Sequence, residues 1–298
     1  MNDTGVMFEE VAIIGPGLIG ASIGLALRAR GLAKRIVGIG RRQVSLDKAL
    51  AIDAIDKASL DPARGVRDAD LVILATPIRA LEPTMTATAE HLKPNTLVID
   101  VASTKVRVID TVSSALRARP DVSYIPTHPM AGGERSGPEA ASPDLFEGAV
   151  CIITPLTNTF PESKGRVTRM WEALGMQVVS MTPQAHDRAV ARISHLPHLA
   201  AAALVVGLKA DETPLCGRGL LDTTRIASGN PDIWVDICRS NREQVRTAVL
   251  DYIAVLQEMA DSLESGELGR LRELLANAKQ RRDESLQRRN DSDEPDDQ

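Results

Sequence analysis

Short apolar runs alternate with helical patterns through about the first 180 residues of the chain. Each run is continuously apolar, and helical segments such as LIGASIGLALRARG, residues 18–31, lie between the runs. Continuously apolar strands joined by helices are typical of a parallel sheet that is covered on both faces. The pattern therefore predicts a doubly wound α/β domain over residues 8–182. The predicted strands are residues 11–14, 35–39, 70–76, 96–101, 122–126, 149–154 and 177–181.

From residue 183 the strand pattern stops, and helical spacing continues to about residue 285. Within this region the segment HLAAAALVVGL, residues 198–208, is apolar on every side. Such a helix must be buried all round, either in a core or in a subunit interface. A domain of about 100 residues has little interior for it, so we predict an all-α homodimerisation domain over residues 183–285. The acidic segment 286–298 is expected to be disordered.

The charge distribution narrows the classes of partner. The net charge is −5, but the last eight residues, DSDEPDDQ, carry five acids and no base, so the rest of the chain is neutral. A neutral body argues against nucleic acid or an anionic membrane as the main partner. Apolar and charged contents of 43% and 25% are those of a globular protein, and the length suffices for two domains.

Targeting and cysteine patterns also exclude several classes. No apolar run approaches the roughly 20 residues of a membrane span, and the N-terminus MNDTGVMFEE lacks a basic segment followed by an apolar one. A cytoplasmic location is therefore expected. Cys151, Cys216 and Cys238 are widely spaced, so neither a disulfide scaffold nor a structural zinc site is predicted.

A glycine-rich turn, GPGLIG at residues 15–20, follows the first predicted strand and opens the first helix. Gly15 allows a tight turn, Gly17 lets the backbone approach a pyrophosphate, and Gly20 lets helix pack on strand. This context favours a Rossmann-type dinucleotide site at a helix N-terminus over a merely structural turn. The expected cofactor-binding residues are Gly15, Gly17, Leu18, Ile19 and Gly20, with Thr76 and Pro77 at the end of the third predicted strand.

The end of the second predicted strand bears on the choice between NAD and NADP. An acid there reads the ribose 2′-hydroxyl of NAD, whereas an arginine accommodates the 2′-phosphate of NADP. This chain has Gly40 where the acid would stand, followed by Arg41 and Arg42. The sequence therefore favours NADP, although NAD remains possible if the arginines are only an exposed pair on a solvated turn.

The stretch YIPTHPMAGGERSG, residues 124–137, cannot form a regular helix because its prolines lack backbone donors and its glycines permit turns. It places His128 in a loop after the predicted strand 122–126, at the carboxyl edge of the sheet where ligands bind in open α/β folds. A lone loop histidine can be structural, but this position favours a catalytic role. His91 and His186 flank helices in polar contexts and are expected on the surface.

The stretch SHLPHL, residues 194–199, is a second candidate site. Pro197 cannot donate to an i−4 carbonyl, so a helix starts or kinks there and leaves free N–H groups beside His195 and His198. An anion would fit such a place. The alternatives are a helix-packing pair or a metal pair at i, i+3, and no metal is predicted because Cys, Asp and Glu ligands are absent nearby.

The stretch DTTRIASGNPDIW, residues 222–234, is a third candidate site. Arg225 stands among small and apolar neighbours, which predicts a buried guanidinium. An unpaired buried charge is costly, so either Asp222 or a substrate carboxylate must satisfy Arg225. We favour the substrate carboxylate, because a hydride-transfer enzyme needs anchors for its substrate from its second domain.

Five motifs, in order and across both predicted domains, resemble those of the prephenate and arogenate dehydrogenases of tyrosine biosynthesis, over about residues 8–280. They are GPGLIG, DVASTK, THPMAGGERSG, ISHLPHL and DTTRIASGNPDIW. The resemblance implies a cyclohexadienol substrate with a 4-hydroxyl, a ring carboxylate and a pyruvyl or alanyl side chain. It implies oxidative decarboxylation, in which hydride passes from C4 to a nicotinamide, CO₂ leaves and aromatisation drives the reaction.

The resemblance also implies roles for individual residues. His128 accepts a hydrogen bond or the proton of the 4-hydroxyl, and Ser103 of DVASTK is its polar companion on that hydroxyl. The implied substrate-binding residues are Glu134, Ser194, His195, His198 and Arg225. Glu134 and His198 match residues of the prephenate-using branch, which favours prephenate, with arogenate or dual-substrate use as the alternative.

Two other classes share part of this pattern. A β-hydroxyacid dehydrogenase or an imine reductase has the same domain plan, but it uses a different polar constellation and leaves THPMAG unexplained. A non-catalytic nucleotide sensor or redox-responsive regulator needs a basic recognition element, which the neutral body lacks. One departure from the family pattern is GRGLLD, where Leu220 and Leu221 replace a frequent aromatic residue, so packing over the substrate is expected to differ there.

Overall fold

The computed structural model describes residues 5–133, 135–157 and 159–293. The chain divides into two compact units between Val245 and Arg246. The first unit contains every candidate site residue of the described ranges. Glu134, one of the implied substrate-binding residues, lies outside those ranges.

One mostly parallel sheet organises the first unit. Its strands are β1 (Phe8–Ile14), β2 (Ala33–Ile39), β3 (Lys57–Ser59), β4 (Leu71–Leu74), β5 (Leu97–Asp100), β6 (Ser123–Pro129), β7 (Val150–Ile153) and β8 (Gln177–Ser180). They lie in the order β3-β2-β1-β4-β5-β6-β7-β8. Neighbours pair in parallel apart from β6 and β7, which are antiparallel. The doubly wound architecture predicted from the apolar runs is confirmed.

The sequence pattern finds seven of these strands and misses β3. This strand has only the residues Lys57, Ala58 and Ser59, none of which is fully buried, and it pairs with β2 alone at the edge of the sheet. A short edge strand needs no continuous apolar run, so nothing in the local sequence indicates it.

Helices cover both faces of the sheet. Along β1, Val11 and Ile13 belong to one apolar cluster while Ala12 and Ile14 belong to another, because successive side chains of a strand point to opposite faces. The helices are α1 (Leu18–Ala29), α2 (Gln43–Ala51), α3 (Pro62–Gly65), α4 (Leu81–Thr88), α5 (Val106–Ala115), α6 (Pro161–Ala173), α7 (Pro183–Val190), α8 (Leu196–Val206), α9 (Arg218–Thr224), α10 (Pro231–Ser240), α11 (Arg242–Ser265) and α12 (Leu268–Asp293).

Strand β6 changes partner along its length. Its first half, from Ser123 to Pro126, pairs in parallel with β5, and its second half, from Thr127 to Pro129, pairs antiparallel with β7. The second half therefore continues past the carboxyl end of β5. His128 lies in this extension, opposite Ile152, so the prediction that it stands in a loop after the strand is wrong. Strand pairing holds its backbone more firmly than a loop would.

A single helical segment joins α7 to α8 through a π-helical turn, Ala191–His195. Pro197 falls in the first turn of α8, where a missing N–H costs little, so the helix continues with a local widening rather than a new start. Such π turns occur frequently at functional sites. Helix α8 thus begins beside this proline, as predicted, although it follows directly on the π turn.

Helix α8 is less buried than its composition predicts. Only His198 and Ala201 are fully buried in it, and its apolar end is exposed, with Val206 85% accessible. By length and composition, with a mean hydropathy of 1.4 in its most apolar window, the helical segment Pro183–Val206 meets the criteria for a membrane-spanning helix. Core helices of soluble proteins meet the same criteria, so one such helix is weak evidence for a span.

The second unit consists of α11 from Arg246 onward and α12. Within it Arg270 pairs with Glu258 and Glu273. Helix α12 continues to Asp293, so part of the segment 286–298 that was expected to be disordered is helical, and residues 294–298 lie outside the described ranges. Its high density of charged side chains sustains the helix through i,i+4 contacts, such as that from Lys279 to Asp283.

Candidate active site

The turn between β1 and α1 has the geometry that its three glycines suggest. Gly15 has φ +90°, and a Cβ there would lie 2.7 Å from the carbonyl oxygen of Ala75. A Cβ at Gly20 would lie 2.5 Å from the carbonyl oxygen of Gly15, so α1 packs directly on the turn. In contrast, a Cβ at Gly17 meets nothing within 4 Å. The close contacts at Gly15 and Gly20 are structural, while the space beside Gly17 is open to a ligand.

Several polar groups beside this turn suit a dinucleotide. Helix α1, which begins with Leu18 and Ile19, has no side-chain cap, so its first turn offers free N–H groups. Thr76, whose methyl group lies next to Gly15, has a buried hydroxyl without a partner in the described part of the chain. Pro77 follows, exposed. An unpartnered buried hydroxyl and a free helix N-terminus fit a pyrophosphate-containing cofactor.

Arg41 and Arg42 stand at the junction between β2 and α2. Both side chains are exposed, and Arg42 is the N-cap residue of α2. The first acidic residue after Gly40 is Asp47, which already accepts a hydrogen bond from Gln43 at 2.8 Å. A carboxylate that would oppose a 2′-phosphate is therefore missing from this junction.

His128 forms a hydrogen-bonded chain with two polar residues of α7. Its Nδ1 lies 2.8 Å from Nε2 of His186, and Nδ1 of His186 lies 2.8 Å from Oδ1 of Asp187. The three side chains are 7%, 0% and 3% exposed, respectively. The prediction that His186 lies on the surface is therefore wrong, because α7 turns this side chain toward the end of β6. His91, the other histidine expected on the surface, is exposed.

Asp187 is held from a second direction by the start of α5. Its Oδ1 accepts a hydrogen bond from the backbone N–H of Lys105 at 2.7 Å, and its Oδ2 accepts one from Val106 at 3.0 Å. A helix N-terminus leaves such N–H groups without intrahelical partners and favours a negative charge. Burial opposes ionisation, but the hydrogen bonds from His186 and these two amides lower the pKa of Asp187. The carboxylate is thus ionised and fixed in orientation.

The histidines of this cluster are kept neutral. Burial, with the charge of Lys105 and the neighbouring histidines acting in the same direction, lowers the pKa of His128 well below its usual value. Burial also lowers the pKa of His186, although Asp187 opposes the change. A neutral imidazole can accept a proton. His128 therefore has the protonation state that a general base requires.

A buried ion pair lies behind His128. Nζ of Lys105 donates to Oδ1 of Asp100 and, at 2.6 Å, to the backbone carbonyl of Thr127. The hydroxyl of Tyr124 donates to Oδ2 of the same carboxylate at 2.7 Å. Both charged side chains are fully buried, so each depends on the other. The contact to Thr127 holds the backbone of β6 at the residue before His128.

A second cluster of rings surrounds the SHLPHL motif. His198 stacks on Trp234 with ring centroids 3.5 Å apart, and His195 approaches the same indole edge-on at 6.2 Å. Nε2 of His195 and Nδ1 of His198 are buried, with no hydrogen-bond partner of acceptable geometry among the described residues. Unsatisfied buried nitrogens indicate a missing polar ligand. This observation agrees with the predicted anion site and comes from side chains rather than free backbone N–H groups.

Asn241 connects the two clusters. Nδ2 of Asn241 donates to the backbone carbonyl of Asp187 at 2.8 Å and lies 3.5 Å from Nδ1 of His195. Burial lowers the pKa of His195 to about 4, an effect that Asp187 and the backbone of Ser103 oppose. Ser103 therefore lies beside His195. The carboxyl end of β5, the extension of β6 and the α7–α8 segment meet at one place.

Arg225 lies between α9 and α10, on the segment that leads to Trp234. Its side chain is exposed at the start of a short 3₁₀ turn, Arg225–Ser228, so the prediction of a buried guanidinium is wrong. Asp222, considered as its partner, is exposed too. The small residues around Arg225 reflect the tight packing of the following turn, where a Cβ at Gly229 would lie 3.0 Å from Cε1 of His198. Ser194 is half-buried in the π turn.

Sequence reasoning missed four residues of the site: His186, Asp187, Trp234 and Asn241. Each is polar or aromatic in or beside a helix, and the contacts that bring them into the site come from elements distant in sequence. A partial signal exists for the first of them, because His186 stands four residues before Val190 and thus on the same face of α7 as a buried apolar residue.

Comparisons with protein families match both halves of the chain. The model described as prephenate dehydrogenase, nucleotide-binding domain, matches residues 23–180, and the model described as prephenate dehydrogenase, dimerization domain, matches residues 182–277. Among curated proteins, the cyclohexadienyl dehydrogenase of Zymomonas mobilis is 32% identical over 266 residues, which cover 87% of this chain and 90% of that protein. The family resemblance drawn from the five motifs is confirmed.

Solved structures give the same result. A prephenate dehydrogenase from Aquifex aeolicus, in complex with hydroxyphenyl propionate and NAD⁺, matches with a TM-score of 0.86 and 30% identity, over 93% of this chain and 98% of that chain. The arogenate dehydrogenase of Synechocystis matches with a TM-score of 0.78 and 31% identity, over 93% and 99% of the two chains. The likeness extends over nearly the whole of each chain.

Proposed function

We propose that this chain, which belongs to the prephenate dehydrogenase family, oxidatively decarboxylates prephenate to 4-hydroxyphenylpyruvate with hydride transfer to a nicotinamide cofactor. The observation that carries the proposal is the state of His128. This imidazole is buried and neutral, its Nδ1 is engaged by His186, and it lies at the carboxyl end of the sheet that also carries the glycine-rich turn.

His128 acts on the substrate hydroxyl. When bound, the nicotinamide supplies the hydride acceptor. As the C4–O bond gains carbonyl character the hydroxyl proton becomes more acidic, and Nε2 of His128 accepts its hydrogen bond or the proton itself. Ser103 is the second polar group on that hydroxyl. The burial of the imidazole limits competition from water.

The second ring cluster holds a carboxylate of the substrate. The unsatisfied nitrogens of His195 and His198 support this role, since a carboxylate can accept hydrogen bonds from both imidazoles. Ser194 supports them from the π turn. Arg225 adds a positive charge at the exposed side. For Glu134, which is outside the described residues, the family resemblance implies a contact with the substrate side chain.

Arogenate is the second candidate substrate. It differs from prephenate in carrying an alanyl rather than a pyruvyl side chain, and relatives of both kinds are about equally similar to this chain. We favour prephenate because Glu134 and His198 match the prephenate-using branch. The two substrates share the ring carboxylate and the hydroxyl, so the distinction rests on the side chain alone.

For the cofactor we propose NADP over NAD. The support is the exposed pair Arg41 and Arg42 at the end of β2, together with the missing acid at that junction. Arginine donates charge-assisted hydrogen bonds to a phosphate and places no negative charge against it. The NAD⁺ in the solved complex was bound to the A. aeolicus protein, so it does not decide between NAD and NADP for this chain.

The helical half forms a homodimer in this proposal, and the enzyme works in the cytoplasm. The match to a dimerization domain and the exposed apolar end of α8 support the dimer, because an interface would cover Leu204, Val205 and Val206. Light scattering at micromolar concentration is expected to give twice the chain mass of 32.0 kDa. A mass equal to one chain would contradict the dimer.

A direct assay tests the reaction. Purified protein is incubated with prephenate or arogenate and with NADP⁺ or NAD⁺, and reduced nicotinamide is followed by absorbance while the aromatic product is identified by chromatography. We expect 4-hydroxyphenylpyruvate from prephenate and a higher kcat/KM for prephenate than for arogenate. A comparable or higher kcat/KM with arogenate would reverse the substrate preference, and inactivity with both would refute the function.

A further inference from the structure

His186 and Asp187 form a buried polar pair to which the roles described so far give no task. Burying an ionised carboxylate and an imidazole is costly unless each polar atom has a partner. Here the partners are specific: His128 on one side of His186, and Asp187 on the other. Which nitrogen donates and which accepts in this hydrogen-bonded series can be deduced by starting at Asp187 and proceeding to His128.

An ionised carboxylate only accepts hydrogen bonds. Oδ1 of Asp187 accepts from the amide of Lys105 and faces Nδ1 of His186 at 2.8 Å, so Nδ1 of His186 must carry a proton. Burial lowers the pKa of His186, which leaves the ring neutral with that single proton. Nε2 of His186 therefore has a lone pair, and it can only accept from His128.

The same reasoning fixes the state of His128. Its Nδ1 lies 2.8 Å from the accepting Nε2 of His186, so Nδ1 of His128 carries its one proton. Nε2 of His128 then has the lone pair, and no described residue hydrogen-bonds to it. The other tautomer would place two lone pairs against each other between the rings and would leave Nε2 unable to accept.

We propose that His186 and Asp187 are positioning residues, which hold His128 in the tautomer whose Nε2 accepts the substrate proton and take up the positive charge that results. The inference rests on the proposed function and deepens it. The logic is that of a base oriented and stabilised by a third group, as in catalytic triads. In this chain a second imidazole stands between the base and the carboxylate.

The proton movement balances at each atom. The O–H bond of the substrate breaks as an N–H bond forms at Nε2 of His128. The N–H bond at Nδ1 of His128 breaks as one forms at Nε2 of His186, which keeps its Nδ1 proton and becomes an imidazolium against the carboxylate of Asp187. No electrons are transferred along the hydrogen bonds from His128 to Asp187. The protons return by the reverse steps to the phenolic oxygen of the product.

The surrounding charges explain why this transfer of the proton from His128 to His186, the proton relay, is needed. Lys105, which pairs with Asp100, stands behind His128, and the neutral His195 is close to it. The ammonium of Lys105 disfavours a positive charge on His128 and also on His186, but His186 has the carboxylate of Asp187 beside it to oppose this effect. Moving that charge to His186 places it beside Asp187, whose ionised state the N-terminus of α5 maintains. The relay therefore permits a base of low pKa to take a proton transiently.

Two variants of His186 distinguish its control of the His128 tautomer from its uptake of positive charge. In His186→Gln the amide nitrogen can still donate to Asp187 and the amide oxygen can still accept from His128, but the side chain cannot become charged. His186→Leu removes both properties. His91→Leu, at an exposed histidine, is the matched control. We expect kcat to fall about 100-fold in His186→Leu and about 10-fold in His186→Gln, within the range of general acid–base effects.

The decisive readout is the tautomer of His128, observed by ¹⁵N NMR of histidine-labelled protein without cofactor. The wild type is expected to carry the proton on Nδ1, His186→Gln to retain it there, and His186→Leu to shift it toward Nε2, while cofactor affinity stays unchanged. A wild-type His128 protonated on Nε2, or a His186→Leu kcat close to that of the control, would overturn the relay. Because the NMR measurement needs no turnover, it still decides the hydrogen-bond chain if neither substrate reacts or if His186→Leu fails to fold.

Discussion

The imidazole of His198 lies flat on the indole of Trp234, with ring centroids 3.5 Å apart and an interplanar angle of 13°. The stack fixes the plane of His198 while Nδ1 is left buried and without a partner among the described residues. A ring held in this way presents its free nitrogen in one direction. The relationship joins two motifs that stand far apart in the sequence, ISHLPHL and the end of DTTRIASGNPDIW.

Loosening this stack should weaken substrate binding. Trp234→Leu is expected to raise KM about 3- to 10-fold with a smaller effect on kcat, since aromatic stacks contribute about 0.5–1.5 kcal/mol. Gly229→Ala should act similarly, because its Cβ would lie 2.6 Å from Nε1 of Trp234. Gly217→Ala is the matched control, since a Cβ there meets nothing within 4 Å. Unchanged KM in Trp234→Leu and in Gly229→Ala would show that the stack has no role in binding.

The pH dependence of kcat/KM should report a base of unusually low pKa. Neutral His128 is the active form, so activity is lost as pH falls through its pKa in the free enzyme. Burial and the charge of Lys105 lower that pKa well below the usual 6.5. We therefore expect kcat/KM to stay level through pH 6.5 and to decline only at clearly lower pH. An acid limb with its midpoint at 6.5 or above would contradict a buried, neutral His128.

The cofactor preference should reside in Arg41 and Arg42. Hydrogen bonds to a charged group contribute about 1.5–3 kcal/mol each, which corresponds to roughly 10- to 100-fold in affinity. Replacing both arginines by alanine is expected to remove most of the preference for NADP⁺ while NAD⁺ kinetics change little. Steady-state kcat/KM with each cofactor measures this effect. A wild-type enzyme that uses NAD⁺ as well as or better than NADP⁺ would show that the arginines are only solvated.

The buried pair of Lys105 and Asp100 should be important for stability. Removing one partner leaves an uncompensated buried charge, which typically costs about 3–5 kcal/mol. Lys105→Met is therefore expected to lower the free energy of unfolding by about that amount, measured by urea denaturation. The double variant Lys105→Met with Asp100→Leu should recover part of the loss, because it buries no lone charge. A Lys105→Met protein as stable as the wild type would contradict a stabilising role for this buried ion pair.

Features that depend on a short local segment could be predicted from the sequence. The spacing of Gly15, Gly17 and Gly20 between a strand and a helix is a local pattern, and the structure shows the tight turn and the open face that it implies. The continuous apolar runs similarly predicted the central sheet, since parallel strands are buried on both faces. His128 was found because it closely follows such a run.

Features that depend on tertiary contacts could not be predicted. His186 stands in a polar helical context, and only the packing of α7 on the end of β6 buries it against His128. The partner exchange of β6 extends the strand through Thr127, His128 and Pro129, where the prolines and glycines indicated a loop. The outcome at Arg225 is the opposite, because its side chain is exposed although its small and apolar neighbours predicted burial.

The central claim is that His128 of this chain is the base of a prephenate-oxidising enzyme, and one comparison tests it most directly. Wild type and His128→Asn are assayed with prephenate and NADP⁺ or NAD⁺ at saturation, with cofactor binding measured separately by fluorescence. We expect the wild type to form 4-hydroxyphenylpyruvate with one reduced cofactor per product, and His128→Asn to lose about 10²- to 10⁴-fold in kcat with unchanged cofactor affinity. A variant within threefold of the wild-type kcat would contradict the claim.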